Sequence, residues 1–364
     1  MRVVIAGGGT GGHLYPGIAV ARELLARDGG TQVTFAGTAA GIEARVLPRE
    51  GLTLDLIRSS GLKGKSVADR LRGLWLLPQG VMDAWGIVSR RRPDLVIGVG
   101  GYSSGPMVVV AAFRGVPTMV LEQNAVPGLT NRLLAPLVRA AAVTYDSTRS
   151  FFGEKAVVSG NPVRPEFFRA AGPSAREADA DGGSAVVRVL VFGGSQGAHA
   201  VNVAMVEAAP ELEAGRPRVR LTHQTGERDV EMVRAGYRTA GIQADVESFF
   251  FDMDRRLRDA DLIVCRAGAT TIAEVAASGR AAILVPLPTA TDDHQRKNAE
   301  ALAAVGAADL LLQKDASGTA LAKRILALAG DDARRLRMAT AVRSFAKPDA
   351  AKVIVDKAIE LVGT

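Results

Sequence analysis

Cysteine is almost absent from this chain, whose 364 residues include only Cys265. A single cysteine cannot form an internal disulfide, and such chains are typical of a reducing cytoplasm. Cys265 ends a short apolar run, so we expect a small buried side chain at the end of a strand and not a catalytic thiol.

The chain also lacks an uninterrupted apolar run long enough to cross a membrane. The uncharged stretch at residues 95–113 is broken by Gly-Val-Gly-Gly-Tyr-Ser-Ser-Gly-Pro, which favours a strand, a loop and a buried helix. The first apolar run meets a glycine loop within six residues, so we expect no signal peptide.

Acidic residues are scarce in the first half of the chain. Residues 1–163 contain 18 Lys and Arg against 11 Asp and Glu, whereas the remainder has 27 of each kind. The whole net charge of +7 therefore belongs to the first half. This imbalance favours an acidic partner there, either nucleic acid, anionic lipid or a phosphorylated substrate.

Both halves open with a strand, a glycine loop and a helix. Residues 2–6 and 186–192 are the two opening strands, and short apolar strands alternate with helical segments after each of them. This alternation predicts an α/β fold made of two Rossmann-like domains with parallel sheets facing a cleft.

The first glycine loop has five glycines within residues 7–12. Gly7, Gly9 and Gly12 fit the dinucleotide fingerprint, but the second strand ends without the acidic residue that would bind a ribose. So many glycines favour an anion-binding loop over a loop that only allows tight packing. His13, at the mouth of the loop, has the side chain for proton transfer.

A series of further motifs follows in order over nearly the whole chain. They are Gly8-Gly9-Thr10-Gly11-Gly12-His13, Gly100-Gly101-Tyr102-Ser103-Ser104-Gly105-Pro106, Glu122-Gln123-Asn124, Gly160-Asn161-Pro162-Val163-Arg164, Gly193-Gly194-Ser195-Gln196-Gly197, Cys265-Arg266-Ala267-Gly268-Ala269-Thr270-Thr271, Ala273-Glu274, and His294-Gln295 with Asn298-Ala299. Together they resemble the MurG glycosyltransferases, which move N-acetylglucosamine (GlcNAc) from UDP-GlcNAc to lipid I, giving lipid II for peptidoglycan.

The resemblance implies the GT-B architecture, with the last helix returning to the first domain. We therefore predict an acceptor- and membrane-facing domain of residues 1–163 and 344–364, and a UDP-GlcNAc-binding domain of residues 164–343.

The resemblance also implies a donor site. The Phe250 backbone is expected to contact the uracil edge, Glu274 the ribose hydroxyls, and Arg164 is expected to bring positive charge. Helix N–H groups near residue 269 would stabilise charge on the departing diphosphate. The other expected donor-binding residues are Thr10, Gly11, Gly12, Asn124, Ser195, Gln196, Ala269, Thr270, Thr271, Ile272, Ala273 and Gln295.

The implied reaction is an inverting transfer to the acceptor 4-hydroxyl, which calls for a general base. His13 is the candidate base, and its alternative role is that of a loop histidine that bonds backbone or acceptor phosphate. Glu122 is the rival candidate, and its alternative role is to orient the loop around Asn124. The first loop is expected to meet the acceptor's diphosphate and the transferred sugar.

Residues 252–254 spell the D-x-D pattern of metal-dependent sugar transferases, directly before a predicted helix. Helix capping by aspartate explains the pattern without a metal. We expect no metal and no other cofactor.

Residues 249–251 are three phenylalanines, a departure from the family that bears on the shape of the uracil pocket.

Residues 63–92 combine basic and apolar side chains and hold both tryptophans of the chain. An amphipathic pair of core-facing helices with a basic rim would explain most of the leucines. Membrane contact through Leu74, Trp75, Leu76 and Trp85 explains the tryptophans as well. We therefore expect a peripheral protein on the cytoplasmic side of the cell membrane, working with lipid I and with other cell-wall synthesis proteins.

Three other functions compete with this interpretation. One is a different GT-B enzyme, such as a sugar-nucleotide epimerase or a transferase with another acceptor. A basic nucleic-acid-binding protein is a second, but the sequence shows no such module, and we expect no nucleic-acid partner. An NAD-binding protein is the third, and the missing acidic residue argues against it.

Overall fold

A computed structural model of the chain describes residues 1–59, 67–124, 126–168, 186–290 and 293–363, apart from the side chains of residues 67–77. The chain divides into two units, Met1–Arg164 with Lys347–Thr364, and Pro165–Ala346. The predicted boundaries at 163 and 343 differ from these by one and three residues. Arg164 consequently lies in the first unit, whereas the prediction placed it in the second.

Parallel strands form the sheet of the first unit. They are β1 Arg2–Gly7, β2 Gln32–Gly37, β3 Thr53–Leu56, β4 Leu95–Gly100, β5 Thr118–Glu122, β6 Ala140–Val143 and β7 Ala156–Val158. Their order is β3-β2-β1-β4-β5-β6-β7. Every residue of β4 is buried, which explains why its sequence reads as one apolar run and not as an alternating pattern.

Helices connect these strands. They are α1 Gly11–Arg27, α2 Glu43–Val46, α3 Val67–Arg91, α4 Ser104–Phe113, α5 Leu129–Leu134 and α6 Asp146–Phe152. The basic segment thus contains one 25-residue helix, α3, where the alternative interpretation had a pair of helices. In α3 the side chains of Leu74, Trp75 and Leu76 lie outside the described part of the chain.

The sequence predicts a helix over residues 124–137, but among the described residues of that range, 124 and 126–137, only Leu129–Leu134 form an α-helix, α5. Pro127 lacks a backbone N–H and disfavours helix in the residue before it. The Glu122 carboxylate also accepts hydrogen bonds from the Asn124 and Gly128 N–H groups, which holds the segment before α5 as a loop.

The second unit repeats the plan. Its strands are β8 Val187–Phe192, β9 Val219–Gln224, β10 Ala244–Glu247, β11 Leu262–Cys265, β12 Ala281–Leu284 and β13 Asp309–Leu310, in the order β10-β9-β8-β11-β12-β13. Its helices are α7 His199–Ala214, α8 Val230–Ala240, α9 Met253–Asp259, α10 Ala269–Ser278, α11 His294–Ala304, α12 Gly318–Ala329 and α13 Asp332–Arg343. Cys265 is buried at the end of β11, and burial raises the pKa of its thiol, so the prediction of a strand-end side chain is confirmed.

The last helix, α14 Ala350–Gly363, belongs to the first unit and packs against α1. An ion pair of 2.9 Å between Arg27 and Asp356 joins the two helices.

Each sheet reverses its winding beside its first strand, between β1 and β4 in one unit and between β8 and β11 in the other. Ligands of doubly wound sheets bind outside the carboxyl ends of the strands at such a switch point. In both units a glycine loop follows the first strand, so each loop lies where the fold places a ligand.

Candidate active site

The first glycine loop is bonded to a buried carboxylate from the start of α2. Glu43 Oε2 accepts the Gly9 N–H at 2.8 Å, and Oε1 accepts the backbone N–H and the hydroxyl of Thr38 at 2.8 and 2.9 Å. Glu43 is fully buried. At Gly9 the loop therefore bonds to a carboxylate of the chain itself, and its predicted contact with the acceptor's diphosphate and the transferred sugar stays a prediction.

His13 is the third residue of α1, and its backbone N–H donates to the Thr10 carbonyl at 3.2 Å. Its ring packs closely against Gly100, the last residue of β4. A Cβ atom added to Gly100 would lie only 2.7 Å from His13 Nδ1. A Cβ on the next glycine, Gly101, would lie 2.6 Å from the Gly8 carbonyl oxygen. The loops after β1 and β4 thus interlock at the switch point, with the partly buried His13 at their edge.

Glu122 ends β5 and is 2% exposed. Its carboxylate accepts four hydrogen bonds of 2.9–3.2 Å, from the backbone and side-chain nitrogens of Asn124, from the Gly128 N–H and from Asn131 Nδ2. A carboxylate engaged by four donors is poorly suited to take a proton from a substrate. This geometry favours the loop-orienting alternative, in which Glu122 positions Asn124.

Arg164 is directed into its own unit. One guanidinium nitrogen lies 3.3 Å from Glu50, and the guanidinium carbon lies 4.6 Å from the centre of the Tyr15 ring. Its side chain is 8% exposed. Arg164 thus shares the Glu50 carboxylate with Arg22, and its predicted contact with the donor stays a prediction.

The second glycine loop, residues 193–197, follows β8 and is supported by an uncharged amide from the end of β9. Gln224 Nε2 donates to the Gly194 carbonyl at 2.9 Å, and its Oε1 accepts the Phe250 N–H at 2.8 Å. One buried side chain thus links the loop of Ser195 and Gln196 to the residue predicted to contact uracil. Sequence reasoning missed Gln224, although a polar residue ending a strand beside a glycine loop is a usable signal.

A buried polar network lies behind the same loop. The Gly197 Cα packs against the Thr225 carbonyl, leaving no room for a Cβ. That carbonyl accepts Asn202 Nδ2 at 2.9 Å, and the same nitrogen donates to Asp229 at 2.8 Å. His223 Nε2 lies 3.0 Å from Asn202 Oδ1, and burial lowers the pKa of His223 to about 3. The network therefore contains a neutral histidine near pH 7.

The N-terminus of α10 is the second feature at the switch point of this unit. Gly268 precedes it, and Thr270 and Glu274 on the helix are 7% and 8% exposed. Arg266, just before it, donates to the Val285 carbonyl at 3.0 Å and is held by the chain itself. The first N–H groups of an α-helix carry partial positive charge and favour a phosphate.

Gln295 lies in the first turn of α11, next to His294. Its Oε1 accepts the Leu287 N–H at 3.0 Å, which ties the segment after β12 to this helix. The predicted contact of Gln295 with sugar hydroxyls stays a prediction.

Asp252 occupies the N-cap position of α9, but its side chain forms no cap, so the capping explanation was wrong. Its carboxylate accepts Arg256 Nε at 3.1 Å, and Asp254 accepts Arg258 Nη1 at 3.1 Å. Arg256 and Arg258, each four residues after its aspartate, thus bind the two carboxylates in place of the helix N–H groups. The Arg256 guanidinium also stacks on the Phe250 ring, 3.9 Å from its centre.

Exposed apolar side chains lie on α3, α4 and α5, with α4 packed against the other two helices. Trp85 is 52% exposed, and the Arg114 guanidinium stacks on its ring at 4.5 Å. We call these residues the apolar patch. Its members are Met82, Trp85, Phe113, Leu129 and Leu133. Met82 and Trp85 lie within residues 63–92, the segment singled out by the sequence, whereas the other members lie outside it.

Among the described residues, none of the helices combines the length and the apolar character that a membrane crossing requires.

The predicted site residues form one set on each unit, at the carboxyl ends of the strands or close behind them. The first unit holds Thr10, Gly11, Gly12, His13, Glu122, Asn124 and Arg164, and the second holds Ser195, Gln196, Phe250, Ala269, Thr270, Thr271, Ile272, Ala273, Glu274 and Gln295.

Two family models match this chain. The N-terminal domain of glycosyltransferase family 28 matches residues 3–143, and the C-terminal domain of that family matches residues 188–354. The protein is therefore a glycosyltransferase with the GT-B fold.

Relatives narrow this class further. The chain is 48% identical over 373 residues to the UDP-N-acetylglucosamine--N-acetylmuramyl-(pentapeptide) pyrophosphoryl-undecaprenol N-acetylglucosamine transferase of Pelobacter propionicus, with 98% of each protein covered. The enzyme of the same name from Geobacter sulfurreducens is 46% identical, with 99% of this chain and 98% of that protein covered. The crystal structure of Acinetobacter baumannii MurG matches with a TM-score of 0.71 at 32% identity, covering 99% of both chains. The chain belongs to the MurG family.

A UDP-GlcNAc 2-epimerase from Neisseria meningitidis also matches, with a TM-score of 0.69 at 14% identity over 99% of this chain and all of that one. This likeness shows the fold alone.

Proposed function

We propose that this protein transfers GlcNAc from UDP-GlcNAc to the 4-hydroxyl of the N-acetylmuramic acid of lipid I, forming lipid II for peptidoglycan. The observation that supports the proposal is the second unit's switch point, where a glycine loop follows β8 and the N-terminus of α10 follows the neighbouring strand β11. Family membership supplies the identity of the two substrates.

We propose that the second unit binds the donor. Ser195, Gln196 and the first turn of α10 face the diphosphate, Phe250 contacts uracil, and Glu274 accepts hydrogen bonds from the ribose hydroxyls. Positive helix ends and N–H donors favour the leaving group more as its charge grows, so they act on the transition state.

In the proposed reaction the acceptor oxygen bonds to the anomeric carbon of GlcNAc while the bond from that carbon to the UDP oxygen breaks. The electron pair leaves with UDP, and the hydroxyl proton passes to the His13 imidazole. One displacement inverts the α-linked donor to a β-linked product. His13 suits the role of base better than Glu122, whose carboxylate is already engaged by four donors.

We propose that the reaction draws no metal from the D-x-D segment and needs no other cofactor. Asp252 and Asp254 are each engaged by an arginine of the same helix, and these ion pairs would have to break before either carboxylate bound a cation.

We propose that the first unit docks on the cytoplasmic leaflet through the apolar patch, because lipid I stays in the bilayer. Exposed apolar side chains beside basic ones suit an anionic surface, with each basic residue contributing about 1 kcal/mol. The patch adjoins Arg114, and the first half of the chain carries the whole net charge of +7. Contact with other cell-wall synthesis proteins, and a part in cell shape and division, belong to the same proposal.

The direct test measures UDP release from UDP-GlcNAc with and without a lipid I analogue. We expect release that depends on the analogue and product that gains one GlcNAc. Release without the analogue, or conversion of UDP-GlcNAc to its epimer, would count against the proposal.

Glu274→Ala tests the donor site in the same assay. We expect a 10- to 100-fold higher KM for UDP-GlcNAc, because a charge-assisted hydrogen bond is worth about 1.5–3 kcal/mol. The KM for the lipid I analogue should stay within twofold of wild type, and an equal rise in both would contradict the assignment.

A further inference from the structure

The Glu43 carboxylate lies beside the first glycine loop and accepts hydrogen bonds from it and from Thr38. Its three partners, the Gly9 N–H, the Thr38 N–H and the Thr38 hydroxyl, all donate to it. A carboxylate accepts at both oxygens, whereas an amide would turn an NH2 group toward a donor. The site is therefore matched to an anion and not to a neutral side chain.

Glycines make the space for this carboxylate. A Cβ on Gly8 would lie 2.6 Å from the Glu43 carboxyl carbon, and one on Gly37 would lie 2.7 Å from its Cγ. Gly41 approaches the carboxylate oxygens still more closely. Of the five loop glycines that suggested a phosphate site, Gly8 is thus the one that makes room for this carboxylate.

The same loop lies against the backbone that positions His13. Gly8, on one side, faces the Glu43 carboxylate, and its carbonyl meets Gly101 on the other side. Gly100, the neighbour of Gly101, supports the His13 ring. A displacement of the loop at Gly8 and Gly9 would therefore reach the imidazole through two packed glycines.

We propose that Glu43 is a positioning residue, an internal anion that holds the first glycine loop in place and, through it, the imidazole of His13. This inference rests on the role of His13 given under Proposed function. It predicts that loss of the carboxylate lowers turnover and leaves donor binding in the second unit intact.

The test compares Glu43→Ala with Glu43→Gln. In Glu43→Ala we expect kcat to fall about 100-fold, because a 1 Å displacement of a catalytic group has an effect of this size. The Kd for UDP should stay within twofold of wild type. Sodium formate should restore kcat at least fivefold, because formate can accept the three vacated donors. Glu43→Gln should lose activity as well but gain nothing from formate, because its side chain fills the site.

Three outcomes would overturn the proposal. They are a kcat within twofold of wild type in both variants, a loss in Glu43→Ala that formate leaves unchanged, and an equal loss of UDP affinity and turnover. If Glu43→Ala does not fold, the kcat and UDP affinity of Glu43→Gln decide the matter.

A second readout separates this inference from the proposed function. The chain has four histidines, so imidazole NMR signals can be assigned with His13→Ala. In Glu43→Gln the His13 signals should shift more than the other three, and equal shifts would contradict the positioning role. Absence of transfer by the wild-type protein would count against the proposed function and leave this readout valid.

Discussion

The two glycine loops have similar sequences and equivalent places in their sheets, but they are supported by side chains of different charge. In the first unit the Glu43 carboxylate accepts the Gly9 N–H. In the second unit the Gln224 amide donates to the Gly194 carbonyl. The first support places a carboxylate beside the loop, whereas the second places an uncharged amide there.

This difference shows that a glycine-rich loop after a first strand does not by itself define a phosphate site. The glycines allow close approach in both units, and the side chain behind each loop decides which group approaches. In the proposed function, the first loop holds a catalytic side chain in place and the second binds a charged leaving group.

The largest expected effect is on kcat, and it tests whether the first loop serves catalysis while the second binds the donor. His13→Ala should lower kcat about 10²- to 10⁴-fold, the range typical of a general base, and leave the Kd for UDP within twofold of wild type. Steady-state kinetics and calorimetry measure the two quantities. His13→Gln, which keeps a hydrogen-bonding side chain without a base, should be equally slow, and normal turnover in either variant would remove His13 from the mechanism.

Gln224→Glu should come next, because it gives the second loop the charged support of the first. The new carboxylate would face the Gly194 carbonyl and repel the diphosphate, so we expect UDP to bind about 10- to 100-fold more weakly, with kcat at saturating donor within threefold of wild type. Calorimetry with UDP is the measurement.

Gln123→Glu is the matched control, since Gln123 is also a buried glutamine at a strand end, with Nε2 donating to the Val99 carbonyl in the first unit. Equal losses of UDP affinity in the two variants would show that the charge does not act at the second loop.

A smaller effect concerns the network behind the second loop. Burial holds the pKa of His223 at about 3, whereas an unfolded histidine titrates near 6.5, so the unfolded chain binds the extra proton. The stability contributed by the neutral ring is complete above about pH 6.5 and is lost as the pH falls toward 3. At pH 5 the loss should be about 2 kcal/mol.

Urea unfolding of the wild type and of His223→Gln at pH 7 and pH 5 measures this contribution. The variant should lose about 2 kcal/mol less between the two pH values than the wild type does. The same pH dependence in both proteins would rule out a buried neutral His223.

The smallest expected effect is on membrane binding, and it compares exposed apolar residues on the surfaces of the two units. Trp85→Ser should weaken binding to anionic vesicles about fivefold, because loss of one partly exposed apolar side chain costs about 1 kcal/mol of binding free energy. The double variant Trp85→Ser with Trp75→Ser should bind no more tightly than Trp85→Ser alone. Flotation with liposomes is the measurement. Leu336→Ser changes a more exposed apolar residue of the second unit and should bind as wild type. Unchanged binding by the Trp85 variants would remove the apolar patch from the membrane contact.

Local patterns were enough to predict much of this architecture. A strand, a glycine loop and a helix at the start of each half led to two parallel sheets, and an apolar strand end led to a buried Cys265. Predictions that depended on one segment alone were less accurate. The helix predicted over residues 124–137 is limited to Leu129–Leu134, because Glu122 holds the preceding loop, and Asp252 pairs with Arg256 instead of capping its helix.

The sequence by itself determined the fold and the family, because these follow from periodicity, spacing and the order of motifs. Tertiary structure decided which side chains hold the two glycine loops. Glu43 lies 34 positions from Gly9, and Gln224 lies 30 from Gly194 and 26 from Phe250. Hydrogen bonds across such separations exist only once the strands have paired, so the sequence could at most mark Gln224 as a polar residue at a strand end, and the partners that it and Glu43 bind became known only from the tertiary structure.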